Sequence, residues 1–476
     1  MRWRDALRTN EGAEAPPRLA DETRWYTEHT ALLISTLKWA LLGAGAGLCV
    51  GYATRAFLWA LSTASDTVRD STAGRFPSWW LLPLALPACV WLIRTFAPDA
   101  RGHGTEAVIA AVHRRSGRID WRVAPVKLAA SVLTIACGGS AGKEGPAAQI
   151  GASLTSLFSD LLRLADGDRR RLVICGISAG FAAVFGTPVS GALFGIEVLY
   201  LGRLDYEVIF PALVAGIVAH LACGVDPPFP ALQDSLGGLD GVAALGVSLG
   251  AGVAFGLVAL LLIETMRGLG RLLQRFDAHP CGLAASGGLA LVAFYTLAGD
   301  AYAGLGTESI AAALAGALTI AWAGFALKIA ATSITLETGG SGGIVTPIFF
   351  TGAASGVALA RVFDLPQGLL AAFGLVAVLA AAANTPIAAA VMAIEVLPPT
   401  EGVHAALAAV TAFLIVGHRS VYASQKLGLS KSAGLEIELG GTVGEVTRSR
   451  LHVRKGTLTE RVHRLGRPPP PPGPEA

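Results

Sequence analysis

Apolar runs free of charge recur along the chain at about 20 residues, the length a helix needs to cross a bilayer. Gly241 to Ile263 carries no charged residue, and neither do Cys281 to Gly299, Ser309 to Leu327 or Thr338 to Ala360. Ala31 to Thr54 holds one, Lys38. Leu365 to Ile394 is uncharged for thirty residues but is broken at Asn384-Thr385-Pro386. Further apolar runs lie at Pro77 to Ile93, Val123 to Leu157, Leu172 to Tyr200, Val208 to Val225 and Gly402 to Gly417. The pattern predicts an all-α polytopic protein with at least ten membrane-embedded segments, many interrupted by Gly or Pro.

Composition agrees. Of 476 residues, 53% are hydrophobic and 15% charged, against about 25% charged in soluble chains. That is too little charge for a water-facing surface and argues against an ordinary soluble enzyme. The 58 glycines suit closely packed membrane helices. A net charge of +3 and 7% aromatics offer no nucleic-acid platform. The six cysteines (Cys49, Cys89, Cys137, Cys175, Cys223 and Cys281) are scattered, without a CxxC pair, and read as small apolar residues, not disulfides or metal ligands.

Charge sets an expected orientation. The N-terminal Met1-Arg2-Trp3-Arg4 lacks the apolar core of a signal peptide and is basic. The tail is basic too, through Arg448, Arg450, Arg454, Lys455, Arg461, Arg464 and Arg467. The middle loop, Asp226 to Asp240, has three aspartates and no Lys or Arg. The positive-inside rule then places both termini in the cytoplasm of a multi-pass inner-membrane protein, with the loop outside. The expected organisation is a cytoplasmic segment 1–30, a first membrane repeat 31–225, an extracytoplasmic loop 226–240, a second membrane repeat with the last helix 241–430, and a cytoplasmic tail 431–476. That tail ends in Pro468 to Pro472, a short segment read as a disordered end, and is too short for a regulatory domain.

The repeats are visible in the letters. Lys127 to Gly142 aligns with Lys328 to Gly343 without a gap, at an offset of 201. Pro146 then falls on Pro347 and Gly151 on Gly352. Thr187 to Leu199 aligns with Thr385 to Leu397, at an offset of 198. If the first half begins inside and the second outside, the repeats are inverted. Inverted repeats with broken helices mark transporters whose site lies near the midplane.

Each repeat has a glycine break before a helix start: Gly138 to Pro146, and Gly339 to Pro347. Proline suits a first helical turn, and glycines let amides converge. Free amides at a positive helix end bind anions, and two such ends would hold an anion weakly enough to release it. Glu144 lies inside the first break. Ionised, it would fill the anion position; protonated, it would withdraw. That makes it a candidate gate and proton carrier. A third break, Gly102-His103-Gly104-Thr105-Glu106, is by itself an ordinary glycine turn.

Taken together, these segments resemble the CLC family of chloride channels and proton/chloride exchangers, prokaryotic type, over residues 31–430. Its three anion-binding signatures run in order. GSGIP corresponds to Gly102-His103-Gly104-Thr105-Glu106. G(K/R)EGP is matched fully by Gly142-Lys143-Glu144-Gly145-Pro146. GxFxP corresponds to Gly343-Ile344-Val345-Thr346-Pro347, with Val in the Phe place. The resemblance implies a homodimer with one anion pathway per subunit and Glu144 as its gating glutamate. It also implies an anion held by the amides of Ile344 and Val345 and by the Tyr422 hydroxyl. His103 stands where the family usually has serine; a neutral imidazole N–H still donates, and a charged one adds pH sensitivity. The family's inner proton-accepting glutamate falls on Val198, which cannot take a proton. Glu197 is adjacent but about 100° away around a helix, and its echo Glu395 in the other repeat points to structural pairing. Channel and proton-coupled exchange both stay open. Cargo is chloride or a similar small anion, with protons as a second candidate and no cofactor or metal.

Other classes fit less well. Cys137 to Glu144 fails the phosphate-loop pattern GxxxxGK[ST] at both ends. Gly176-Ile177-Ser178-Ala179-Gly180 fits GxSxG and would make a membrane serine hydrolase, but its surroundings read as packed helix. A fluoride-type anion/proton antiporter is a nearer alternative; the intact GKEGP and Tyr422 favour the chloride type.

Overall fold

The computed structural model describes residues 21–225, 232, 241–276, 279–317, 320–446, 452–457 and 459–461, leaving aside the side chains of 21–26 and 446. Residues 1–20, the 226–240 loop apart from Leu232, and Pro468 to Pro472 lie outside the described residues.

The first half runs through α1 (Asp21–Thr72), α2 (Leu82–Phe96), α3 (Thr105–Arg114), α4 (Val123–Ala136), α5 (Glu144–Leu161), α6 (Asp166–Phe185), α7 (Pro188–Glu197) and α8 (Tyr206–Cys223). The second runs through α9 (Gly241–Leu273), α10 (Pro280–Ala298), α11 (Thr307–Leu314), α12 (Gly324–Glu337), α13 (Val345–Phe363), α14 (Gln367–Ala383), α15 (Pro386–Val396) and α16 (Pro399–Ile415). The tail adds α17 (Val443–Val446). Among the described residues, six helices are long and apolar enough to cross a membrane; several others are shorter, as expected of broken spans. The packing is inside-out relative to a soluble protein. Leu33, Leu41, Trp59, Leu84 and Leu297 are exposed, while the alanines of α14 are buried. Cys49 and Cys281 are also exposed, unlike the four buried cysteines, and all six are free thiols.

Local chemistry explains where helices stop. The uncharged run Ser309 to Leu327 is not one span. α11 ends at Leu314, Gly316 takes φ +70°, and the Ala317 N–H donates to the Ala312 carbonyl. That is a helix C-cap, with glycine in the left-handed conformation. α14 stops where Asn384 turns left-handed at φ +56°, and Pro386 opens α15. α1 begins at Asp21, ahead of the apolar run, because nothing in Asp21 to Thr30 breaks a helix.

The two halves meet through reciprocal contacts, which only a twofold relation produces. The Ser140 N–H donates to Thr335 Oγ1 and the Ser341 N–H to Thr134 Oγ1, at 3.1 and 3.0 Å. Glu197 accepts from the Ile387 and Ala388 N–H groups that open α15; Glu395 accepts from the Val189 and Ser190 N–H groups that open α7. The two repeats are thus inverted about a pseudo-twofold axis, and Glu197 has a structural role matched by Glu395, as the echo between the two suggested. After α16 the chain is irregular through Tyr422. It is tied to the end of α7 by a parallel pairing of β1 (Tyr200–Leu201) with β2 (Lys426–Leu427).

Candidate functional site

The three glycine breaks converge on the pseudo-twofold axis. The Gly142 N–H donates to the Gly343 carbonyl at 2.7 Å, and the Gly343 N–H returns the bond to Gly142 at 2.6 Å. A Cβ on Gly145 would run into the His103 carbonyl and stand 2.9 Å from Gly343 Cα. Gly104 has φ +82°, and a Cβ there would be 2.5 Å from the Gly145 carbonyl oxygen. Only glycine permits this approach. The starts of α3, α5 and α13 are therefore gathered at one point. First-turn amides have no acceptor within their own helix and carry its positive end.

Glu144, the first residue of α5, is 2% exposed. Its carboxylate reaches across the axis to the head of α13. It accepts the Thr346 N–H at 3.1 Å and the Thr346 hydroxyl at 2.6 and 2.7 Å. The carboxylate thus holds a place that a free anion at this helix end would take. Ile344 caps α13 and Val345 opens it, both buried beside this contact. Lys143 is partly exposed at the N-cap of α5.

Tyr422 is fully buried, and its hydroxyl has no geometric hydrogen-bond partner among the described residues. Thr105 and the carboxylates of Glu106 and Glu144 are near enough to act on it. His103 Nδ1 is likewise buried without a partner. His103 lines two cavities, of about 430 and 230 Å³. The larger is lined by Glu106, Ser420, Val421, Arg267, Arg271 and Glu337 among others. Gly444 of α17 also lines it, so it lies on the face that carries the C-terminal tail.

Two groups that the sequence analysis did not single out support these breaks. The buried Lys127 Nζ donates to the carbonyls of Ala100 and Gly102, at 3.2 and 2.6 Å, beneath the His103 loop. Lys328 does the same for Tyr302 and Gly304, at 3.1 and 2.9 Å. The signal was available: both lysines open the aligned repeat segments. Thr346 is the second group; it lies inside a quoted motif, but its bond to Glu144 spans 202 residues.

Other expected positions lie apart from this point. Val198 is buried at the end of α7, its carbonyl accepting from Gln425 Nε2. The Ser178 hydroxyl is buried within α6 and donates to the Ala192 carbonyl, as a helix-packing residue does.

Comparison with known proteins gives a consistent picture. The family described as Voltage gated chloride channel matches residues 85–417. A "Chloride/fluoride channel protein" of Pseudomonas syringae pv. tomato is 36% identical over 426 residues, covering 85% of this chain and 90% of that protein. An "H(+)/Cl(-) exchange transporter ClcA" of Vibrio cholerae is 29% identical over 381 residues, covering 75% of this chain and 80% of the relative. The crystal structure of a CLC-type fluoride/proton antiporter superposes with a TM-score of 0.77 at 29% identity, over 82% of this chain and 98% of that one.

Proposed function

The chain belongs to the voltage-gated chloride channel family, and from that membership and its geometry we propose that it carries chloride and similar small anions across the membrane past Glu144. The observation that carries this reading is the Glu144 carboxylate seated on the Thr346 N–H at the head of α13. An ionised carboxylate there excludes a free anion; protonated or displaced, it yields the seat. In this reading the anion is held by the amides around Gly142, Lys143, Gly145, Gly343, Ile344 and Val345. The Tyr422 hydroxyl and His103 donate from the tail side. The protein is a multi-pass homodimer of the inner membrane, with one pathway per subunit and both termini cytoplasmic; the basic tail and the acidic middle loop support that orientation.

A second cargo, fluoride, is favoured by the 36% identical relative named for both ions. Purified protein in vesicles, loaded in turn with chloride and fluoride, tests both readings. Chloride release by wild type, with a pH dependence that Glu144→Gln weakens, is expected. No release of either anion, or identical pH profiles for wild type and variant, overturns the proposal. Fluoride release that outruns chloride selects the second cargo.

A further inference from the structure

We propose that Glu106 is a second titratable gate, on the tail side of the pathway, whose charge controls anion entry past Tyr422. The proposal rests on the anion-transport reading above. Val198 leaves the inner side without a titratable group at the position the family resemblance pointed to, and Glu106 is a different residue in a different place. It stands in the first turn of α3, beside the point where the three glycine breaks meet.

Its two carboxyl oxygens differ. Oε1 accepts from the Ser424 N–H at 2.9 Å and from the Ser424 hydroxyl at 2.6 Å, which fixes the carboxyl. Oε2 is buried and has no partner among the described residues. Glu106 lines the 430 Å³ cavity on the tail face and acts electrostatically on the Tyr422 hydroxyl. The carboxyl therefore adjoins both the vestibule, from which a proton can come, and the phenol proposed to hold the anion.

The charged and titratable surroundings are few. Arg114 on the same helix and Arg267 on α9 lie within electrostatic range of Glu106. Arg271, Glu337 and His103 share the cavity wall. As a carboxylate, Glu106 repels an anion approaching Tyr422. Once it takes a proton from the vestibule it is neutral, and Oε2–H can donate toward the anion. Release of that proton to vestibule water restores the carboxylate. By linkage, anion entry and proton uptake at Glu106 favour one another.

The test is anion efflux from the tail side, in vesicles whose orientation is checked by protease access to the C-terminal tail. Wild-type flux is expected to fall about tenfold or more as the tail-side pH rises from about 5 to about 8, the scale of effect of a unit charge at short range in a protein interior. Glu106→Gln is expected to keep the high flux at both pH values. A Gln variant with the wild-type profile, or a wild type indifferent to tail-side pH, overturns the proposal while anion transport stands. Absence of anion flux in wild type sinks both.

Ser424→Ala covers the case in which Gln disturbs folding. It keeps the acid but removes one donor to the ionised form, so the midpoint of the profile moves to higher pH. A structural anchor alone would leave no such shift, and an unmoved midpoint counts against the gate.

Discussion

Thr346 gives Glu144 two bonds, one from its amide and one from its hydroxyl, and only the second belongs to the side chain. Removing a hydrogen bond to a charged group costs about 1.5–3 kcal/mol. Thr346→Val should therefore weaken the seated carboxylate while leaving the α13 amide in place. Anion flux at a fixed pH is expected to rise about tenfold or more, the equivalent of that lost bond, read from vesicle efflux; an unchanged flux would show that the hydroxyl does not hold the gate. Tyr422→Ala should weaken anion binding about tenfold or more, the scale of one lost donor to a charged ligand, as measured by calorimetry. At this scale the acid itself was legible, because a lone Glu between Gly-Gly-Ser and Gly-Pro in an apolar run stands out. Its partner was not, because nothing local to Thr346 records a neighbour 202 positions earlier.

Helix ends, more than helix bodies, organise this protein. Proline at the first turn of α7 and of α15 leaves open amides that the carboxylates of Glu395 and Glu197 fill from the opposite repeat. Glu197 is buried and Glu395 is exposed, so equal substitutions should have unequal effects. Glu197→Ala is expected to destabilise the fold by about 1–3 kcal/mol, the penalty for buried donors left unpaired. Glu395→Ala should be milder, because the donors it leaves are less buried. Thermal unfolding of the two variants in detergent compares them, and an equal fall in Tm would contradict the capping argument. Most elements could be read from apolar run length and from Gly and Pro positions. One exception, Ser309 to Leu327, is instructive: its alanines and leucines continue across a cap at the left-handed Gly316, and hydropathy does not register backbone handedness.

Over the whole molecule the twofold relation is followed in the scaffold and broken at the pathway. Serines, threonines, capping glutamates and buried lysines all have counterparts, and Gly102-His103-Gly104-Thr105-Glu106 has its own in Gly304-Leu305-Gly306-Thr307-Glu308. Yet Lys143 and Glu144 correspond to Ile344 and Val345, and His103 corresponds to Leu305. A symmetric frame thus presents one acid at the paired helix heads, Glu144, and one imidazole, His103, without counterparts in the other repeat, giving the pathway a direction. The frame depends on how closely the glycine corners approach. Gly145→Ala would press a methyl group on the His103 carbonyl and on Gly343 Cα, forcing the three breaks apart. Its anion flux should fall at least about tenfold, since misplacement by about 1 Å at a site costs up to that order or more. Gly246→Ala, where a Cβ meets nothing within 4 Å, serves as the control that should transport normally.

What the amino-acid order determined by itself was the class of the protein: apolar runs of membrane length, interrupted at glycine and proline, duplicated with an offset near 200 residues, and carrying one acid in one break. Those features are local, set by side-chain polarity and backbone freedom within a few residues. What only the tertiary structure decided was which groups face each other. Glu144 meets Thr346 across 202 residues and Glu106 meets Ser424 across 318. Such pairs arise from the packing of whole helices about a shared axis, and no periodicity within a single helix encodes it.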